Sequence, residues 1–211
     1  MKNIAIIDID GVLADYRLGL LYWIRQSYPR FSHRANEYIN SPNVWINNET
    51  MKVSYKEWLD CLEMFRMSGG KQSIPLMKGA KELIQMCLSK NLEIVLVTSR
   101  PMDLYSNIYR DTVEWLRNAN IIYHLLLWSK EKSVLLHRMR LIEKTLFVVD
   151  DELGHIKDYA KLGLKCYWLD HYNKTNDLID PNVCVVEDLF KIIDKEILNY
   201  EQTDDTPTLH Y

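Results

Sequence analysis

The apolar positions of this chain fall into short continuous runs, separated by longer stretches in which apolar residues recur every three or four positions. The first pattern is typical of strands buried on both faces of a sheet, and the second indicates helices. Their alternation predicts an α/β fold with a doubly wound parallel sheet. The predicted strands cover residues 4–9, 93–98, 124–127, 146–149 and 165–169, with a weaker candidate at 183–186.

The alternation breaks between Asp15 and about Pro75, where no convincing strand occurs and the composition is aromatic and helical. Ser54 followed by Glu57 has the form of a capping box, so a helix is predicted to begin there. We therefore predict a helical cap over residues 15–75, inserted after the first strand. The α/β core then comprises residues 1–14 and 76–200, and the polar residues 201–211 are expected to form a flexible tail.

Composition narrows the classes of protein. The 26 Lys and Arg residues against 29 Asp and Glu residues give a net charge of −3, so no global basic field could hold nucleic acid by charge alone. No apolar run approaches the roughly 20 residues that span a bilayer. The four cysteines lack the paired spacing of a zinc site or a secreted disulfide framework. We therefore expect a cytoplasmic protein with reduced thiols and no membrane contact.

The first predicted strand ends in two carboxylates, Asp8 and Asp10, followed by Gly11. Residues two apart on a strand point to the same side, and glycine permits a sharp turn after them. In open α/β sheets, ligands bind outside the carboxyl ends of the strands. The two aspartates are therefore candidates for catalysis, although they could equally end a strand and cap a helix.

Three further polar segments follow later strands and should meet the first at the same edge of the sheet. Thr98, Ser99 and Arg100 follow the second strand, and Lys132 lies after the third. The adjacent acids Asp150 and Asp151 follow the fourth, where their mutual repulsion would be relieved by a divalent cation. Each segment also has an ordinary explanation as a helix cap or a solvated turn. Among the six histidines, only His155 is expected near this edge.

Taken together and in this order, the four segments resemble those of the haloacid dehalogenase (HAD) superfamily of phosphotransferases. The form Asp8-x-Asp10-Gly-Val-Leu-Ala-Asp15, with a helical insertion directly after it, is similar to the deoxyribonucleotidase branch. Shorter similarities lie at residues 65–69 (Phe-x-x-Ser-Gly), 74–80 (Ile-Pro-Leu-Met-Lys-Gly-Ala) and 131–134 (Glu-Lys-Ser-Val). The resemblance extends over about residues 4–169.

This resemblance implies a magnesium-dependent phosphomonoesterase that acts on deoxyribonucleoside monophosphates. Asp8 would attack phosphorus and form an aspartyl-phosphate, while Asp10 would protonate the leaving oxygen and later activate water. Magnesium would be held by Asp8, the backbone carbonyl of Asp10, and Asp150 or Asp151, a choice that stays open. The residues expected to bind the phosphoryl oxygens are Thr98, Ser99, Arg100 and Lys132.

Two features depart from the nucleotidase pattern. Glu152 stands where relatives often carry arginine, and the span from Lys132 to Asp150 is long. The segment over residues 160–167 and the arginine at position 100 look more like polynucleotide 3′-phosphatase domains. Nucleic-acid ends are therefore an alternative substrate, and a HAD-fold binding module without catalysis is a second alternative.

The predicted cap should decide the substrate, because the core motifs handle only phosphate and metal. Its aromatic residues could stack on a nucleobase or could fill the interior of the cap. The candidates for substrate contact are Tyr16, Trp45 and Phe65. A homodimer is compatible with the sequence, which does not specify an oligomeric state.

Overall fold

The computed structural model describes residues 3–41, 44–172 and 180–203. Its centre is one sheet of six parallel strands, which confirms the predicted α/β architecture. The strands are β1 (Ile4–Ile7), β2 (Glu93–Thr98), β3 (Leu125–Trp128), β4 (Thr145–Asp150), β5 (Cys166–Leu169) and β6 (Val183–Val186). They are arranged in the order β3-β2-β1-β4-β5-β6.

The amphipathic stretches between the strands form helices. The α-helices are α1 (Tyr16–Ser27), α2 (Ser32–Ile39), α3 (Tyr55–Met67), α4 (Ala80–Ser89), α5 (Ile108–Asn118), α6 (Lys132–Arg138), α7 (Leu153–Ala160) and α8 (Leu189–Thr203). Short 3₁₀ turns occur at Pro29–Phe31, Gly70–Ser73 and Ile142–Lys144. Within the described ranges, no helix combines the length and apolarity needed to cross a bilayer.

Alternate residues of the strands bury the two faces of the sheet. Ala5 and Ile7 of β1 pack in one hydrophobic cluster with residues of α4, α5 and α8. Ile4 and Ile6 face the other way and pack with residues of α6 and α7. Helices on both faces of a parallel sheet make the fold doubly wound, and they explain why the strands read as continuous apolar runs.

The stretch between β1 and α4 is helical, as the sequence predicts. Among its described residues it contains α1, α2 and α3, and α1 packs against both of the others. The capping box of α3 is present, with the Glu57 amide donating to Ser54 Oγ at 3.2 Å and the Ser54 amide donating to Glu57 Oε2 at 3.0 Å. Leu21 and Phe65 share one hydrophobic cluster with Ile7. The division of the chain into cap and core domains stays a prediction.

Several boundaries differ from the predicted ones, including shifts of one residue at the starts of β3 and β5 and at both ends of β4. β1 ends at Ile7, because the carbonyl of Ile9 turns back to accept the amides of Leu13 and Ala14 at 2.9 and 2.8 Å. β3 extends to Trp128, one residue beyond its predicted end. Residues 201–203 of the predicted tail belong to α8, and residues 204–211 lie outside the described residues.

Candidate active site

The candidate residues meet at the carboxyl edge of the sheet, where its winding reverses. β1 lies between β2 and β4, so Asp8 has Thr98 on one side and Asp150 on the other. The Asp8 amide continues the pairing by donating to the Val149 carbonyl at 3.0 Å. Ligands of doubly wound folds bind in the crevice at this switch point.

Three carboxylates form a cluster in this crevice. Asp8, Asp150 and Asp151 each offer one oxygen, and these oxygens lie within 4.8 Å of one another. Gly11 makes the approach of Asp151 possible, because a Cβ at this position would lie 2.1 Å from Asp151 Oδ2. Its φ of +83° also suits glycine. The sequence prediction that separate strand ends bring these acids together is therefore met.

Lys132 at the start of α6 reaches into the acidic cluster. Its Nζ donates to Asp150 Oδ2 at 2.8 Å and lies 2.9 Å from Asp8 Oδ1. The second contact is an ion pair without hydrogen-bond alignment, so buried Asp8 Oδ1 accepts no hydrogen bond from the described residues. One lysine therefore faces three carboxylates, and the cluster keeps an excess of negative charge.

The electrostatics of this cluster fit a divalent cation. Burial and the neighbouring Asp150 raise the pKa of Asp8 to about 7, although Lys132 opposes the shift. Burial and the charges of Asp150 and Asp8 likewise raise the pKa of Asp151. Closely spaced carboxylate oxygens, one of them without a hydrogen bond, are the hard donors that magnesium prefers. The residues present therefore fit a magnesium ion.

Asp10 lies outside the carboxylate cluster and is held by two cations. Arg100 donates to its two oxygens at 2.7 and 3.1 Å, and Lys71 donates to Oδ2 at 2.5 Å. Burial alone would raise the pKa of Asp10, but Arg100 and Lys71 outweigh it and hold that pKa below its ordinary value. The side chain of Asp10 thus points away from the metal ligands and toward the inserted helices.

Comparison with solved structures identifies the fold. A Bacillus subtilis protein assigned as a HAD hydrolase, YfnB, solved with bound magnesium, is 17% identical over 94% of this chain and 99% of its own, with a TM-score of 0.61. A Clostridium difficile protein assigned as a phosphatase is 19% identical over 93% of this chain and 98% of its own, with a TM-score of 0.60. The chain has the fold of HAD-superfamily hydrolases.

Structures of this fold include dehalogenases as well as phosphatases. An L-2-haloacid dehalogenase is 14% identical over 93% of this chain and 100% of its own, with a TM-score of 0.59. Neither the family models nor the curated proteins contain a match to this sequence. The comparisons therefore identify the HAD hydrolase fold and do not distinguish a phosphatase from a dehalogenase.

On this HAD fold, the predicted phosphate-binding residues differ in their surroundings. Thr98 is buried, and its Oγ1 accepts the Arg100 amide at 3.2 Å, whereas Ser99 is exposed. Arg100 is buried and uses its guanidinium on Asp10 and, at 3.0 Å, on Thr112 of α5. The structure thus places Arg100 as a partner of Asp10, whereas Thr98 ends β2 next to β1 and Lys132 reaches Asp8 from the start of α6.

Lys71 is the main site residue that sequence reasoning missed. It lies in the Gly70–Ser73 turn that leads from α3 back to the sheet, and its Nζ sits 4.1 Å above the ring of Tyr16. Burial lowers the pKa of Lys71 to about 8, against the attraction of Asp10. No pattern in the sequence marks it, because Lys71 and Asp10 are 61 residues apart.

The three predicted substrate-contacting aromatics are not equivalent. Phe65 is fully buried and packs against Tyr16 and Trp23, so it has no exposed face for a substrate. The prediction that Phe65 contacts the substrate is therefore wrong, because its ring is buried in the hydrophobic core. Tyr16 is partly buried beneath Lys71, and Trp45 is half exposed, with its ring 5.3 Å from that of Tyr172.

Two histidines lie beside the loops of the site. His155, the one that the sequence indicates, pairs at 3.3 Å with Glu152, the residue directly after Asp151. His171, just after β5, which the sequence does not indicate, donates from Nε2 to the Gly11 carbonyl at 2.6 Å. This contact braces the turn that carries Asp10, and it depends on the way β5 lies next to β4 in the sheet.

Proposed function

We propose that this protein is a magnesium-dependent phosphomonoesterase that acts on deoxyribonucleoside monophosphates through an aspartyl-phosphate. The observation that carries the proposal is the cluster of Asp8, Asp150 and Asp151 around buried Lys132. Such a cluster is costly in free energy unless a cation relieves the repulsion between its members. The magnesium-bound structure of the same fold supports this choice of metal.

The ion would be held by Asp8, the backbone carbonyl of Asp10, and Asp151. Asp151 is favoured over Asp150 as the direct ligand, because Asp150 already accepts Lys132 with one oxygen and the Glu152 amide with the other, at 2.8 and 3.0 Å. When bound, magnesium offsets the repulsion between an anionic nucleophile and a phosphate dianion. Asp150 then serves to position Lys132.

Asp8 supplies the nucleophile and Asp10 the proton transfers. A carboxylate oxygen of Asp8 would form a bond to phosphorus as the bond to the leaving oxygen breaks, and water would later hydrolyse the resulting acyl phosphate. Asp10 would protonate the leaving oxygen and then accept a proton from that water, which requires that substrate binding loosen the contacts with Arg100 and Lys71 that hold its pKa low. Lys132, Thr98 and the Ser99 amide would bind the phosphoryl oxygens, while Arg100 would act through Asp10.

Phosphate chemistry explains the cluster better than dehalogenation does. Displacement of halide from carbon needs a carboxylate nucleophile, but the halide leaves without a proton and the substrate carbon carries no negative charge that a cation must offset. Phosphoryl transfer needs an acid to protonate the leaving oxygen and a cation to reduce the repulsion between the carboxylate and the phosphate. The three clustered acids and the separate Asp10 therefore favour a phosphomonoester substrate.

The decisive experiment is phosphate release from wild-type protein and from the Asp8→Asn variant. We expect release to require magnesium and to be abolished in the variant, because a carboxamide keeps the shape of the side chain but loses the nucleophile. Asp158→Asn is the matched control, since Asp158 is an exposed residue of α7 that pairs with Lys161. Near-normal release by Asp8→Asn would refute the assignment.

The buried arginine at the end of β2 favours a second candidate, a polynucleotide 3′-phosphatase, because those domains carry an arginine near this position. The substrate panel should therefore contain 5′- and 3′-deoxynucleotides, a 3′-phosphorylated oligonucleotide and p-nitrophenyl phosphate. The second candidate predicts that the oligonucleotide is preferred and that its hydrolysis falls with salt, as phosphate contacts release counterions. Magnesium binding without any hydrolysis would instead indicate a non-catalytic module.

A further inference from the structure

A cavity of about 520 Å³ opens beside the candidate active site, at the carboxyl ends of β2 and β3. Its volume lies in the range of small-molecule sites. The cavity is lined in part by Ser99 and Arg100, the two residues that directly follow β2, although the Arg100 guanidinium itself is buried against Asp10. The lining residues are Ser99, Arg100, Asp103, Trp128, Ser129, Lys130 and Glu131.

Trp128 provides the aromatic surface of this cavity. It pairs with Thr98 in the register of β2 and β3, and the Ser129 amide donates to the Thr98 carbonyl at 3.0 Å. Neighbouring strands are about 4.8 Å apart, so the indole stands directly beside the end of the strand that carries the predicted phosphate-binding residues. Asp8 follows β1, which is two strands away from β3 and so about 10 Å from it, a separation that one nucleotide can span.

The exposure of Trp128 is large for its position. It is the last residue of β3, yet 49% of its surface is accessible, and Tyr109 of α5 is 53% accessible beside it. The two rings meet edge to face with centroids 5.9 Å apart and planes at 64°. Tyr109 thus braces the indole through a favourable aromatic pair, while much of the indole surface stays open.

The polar rim of the cavity suits a nucleoside. Lys130 lies 4.0 Å from Asp103 in an exposed, loosely paired contact, and the cavity carries hydroxyl groups from Ser99 and Ser129. These groups offer hydrogen bonds to a sugar or a base edge without a strong net charge. An apolar aromatic face with a few polar groups around it is the usual composition of a site for a planar heterocycle.

We propose that Trp128 forms the base-binding subsite and stacks on the nucleobase of a deoxyribonucleoside monophosphate whose phosphate lies at Asp8. The inference deepens the proposed function and rests on it for the placement of the phosphate. The sequence predicts that the base binds to aromatic residues of the inserted segment, among which Trp45 is half exposed. The proposal instead places the base at the ends of β2 and β3. Tyr109 supports the indole and does not itself need to touch the base.

The test compares a nucleotide with the same ester lacking its base. We expect Trp128→Leu to lower kcat/KM for deoxyadenosine 5′-monophosphate about tenfold, as loss of base stacking on an aromatic side chain does. Hydrolysis of deoxyribose 5-phosphate should stay at the wild-type rate, because that substrate has nothing to stack. Trp128→Phe should restore most of the preference, whereas a mere disturbance of the fold would lower both activities.

Two further variants and a binding measurement complete the test. Tyr55→Leu, which removes an exposed aromatic from α3, should change neither activity. If Trp45→Leu removes the preference for the nucleotide and Trp128→Leu does not, the inference is wrong. Quenching of Trp128 fluorescence by deoxyadenosine, measured as the difference between wild type and Trp128→Phe, reports stacking without catalysis. Quenching in a protein that hydrolyses no phosphate ester would overturn the proposed function but support the subsite, whereas hydrolysis without quenching would overturn the subsite alone.

Discussion

Asp10 receives its two cationic partners from two separate segments of the chain. Arg100 approaches from the end of β2 and binds both carboxylate oxygens, while Lys71 approaches from the inserted segment. Both cations are almost completely buried, so their contacts with Asp10 are poorly screened by solvent. This arrangement fixes the orientation of the carboxylate that is proposed to act on the leaving group.

Replacement of Lys71 should therefore affect the step that needs Asp10. We expect Lys71→Met to lower kcat by about tenfold or more for an alkyl phosphate, because a misplaced acid transfers protons poorly. p-Nitrophenyl phosphate, whose leaving group needs little protonation, should lose much less activity. Lys71→Arg, which keeps the charge, is the matched control. An equal loss for both substrates would contradict a positioning role for Lys71.

The residues that sequence could identify lie at strand ends or in the segments just after them. Asp8 follows β1, Asp150 ends β4 and Lys132 begins the helix after β3, and the carboxyl ends of parallel strands must meet at one edge. Lys71 and His171 lie on irregular segments whose positions depend on tertiary packing. No periodicity connects them to the site, so their contacts are visible only in the structure.

At the scale of elements, the turn at Gly70–Ser73, which leads from α3 back to the sheet, adds Lys71 to the residues that the strand ends supply. Gly69 turns the chain with a φ of +77°, and Gly70 then packs closely beneath Phe65. Gln72 donates to buried Asp111 of α5 at 2.7 Å. This segment is thus tied to the inserted helices on one side and to the α/β core on the other, with Lys71 between the two ties.

Substitution of Gly70 should loosen this segment. A Cβ at position 70 would lie 2.2 Å from the Phe65 ring and 2.6 Å from its backbone oxygen, so Gly70→Ala should lower the free energy of unfolding by about 1–3 kcal/mol. Urea denaturation measures the change. Gly154→Ala on α7 is the control, because its Cβ would meet only Glu152 at 3.7 Å and alanine favours helix. Equal stability of the Gly70→Ala protein and the wild type would contradict the packing described for this turn.

The strands illustrate what pattern can and cannot predict. All six lie at the predicted apolar runs; the four inner strands are largely buried on both faces and therefore apolar, whereas the edge strands β3 and β6 are only partly buried. β1 ends two residues before the apolar run does, since the carbonyl of Ile9 accepts amides from the following turn and not from a neighbouring strand. This change of hydrogen-bond partner does not alter the hydrophobic pattern of the sequence, so the pattern cannot predict where β1 ends.

At the scale of the whole molecule, the fold places one crevice at the reversal of the sheet, between the ends of β2, β1 and β4. Helices cover both faces, so the carboxyl edge is the place where polar side chains from several strands can converge. The alternation of apolar runs and helical stretches predicts the fold class. It does not predict the substrate, because the shape and charge around the crevice depend on loops and on the inserted helices.

The proposed reaction requires a single magnesium ion shared by Asp8 and Asp151, which lie just beyond the ends of β1 and β4. Calorimetric titration with magnesium tests this most directly, in wild-type protein and in Asp151→Asn, with the surface variant Asp158→Asn as control. We predict one ion bound per chain in the wild type and in the control, and no measurable binding in Asp151→Asn. Equal binding by Asp151→Asn and the wild type, or no binding by the wild type, would contradict the account.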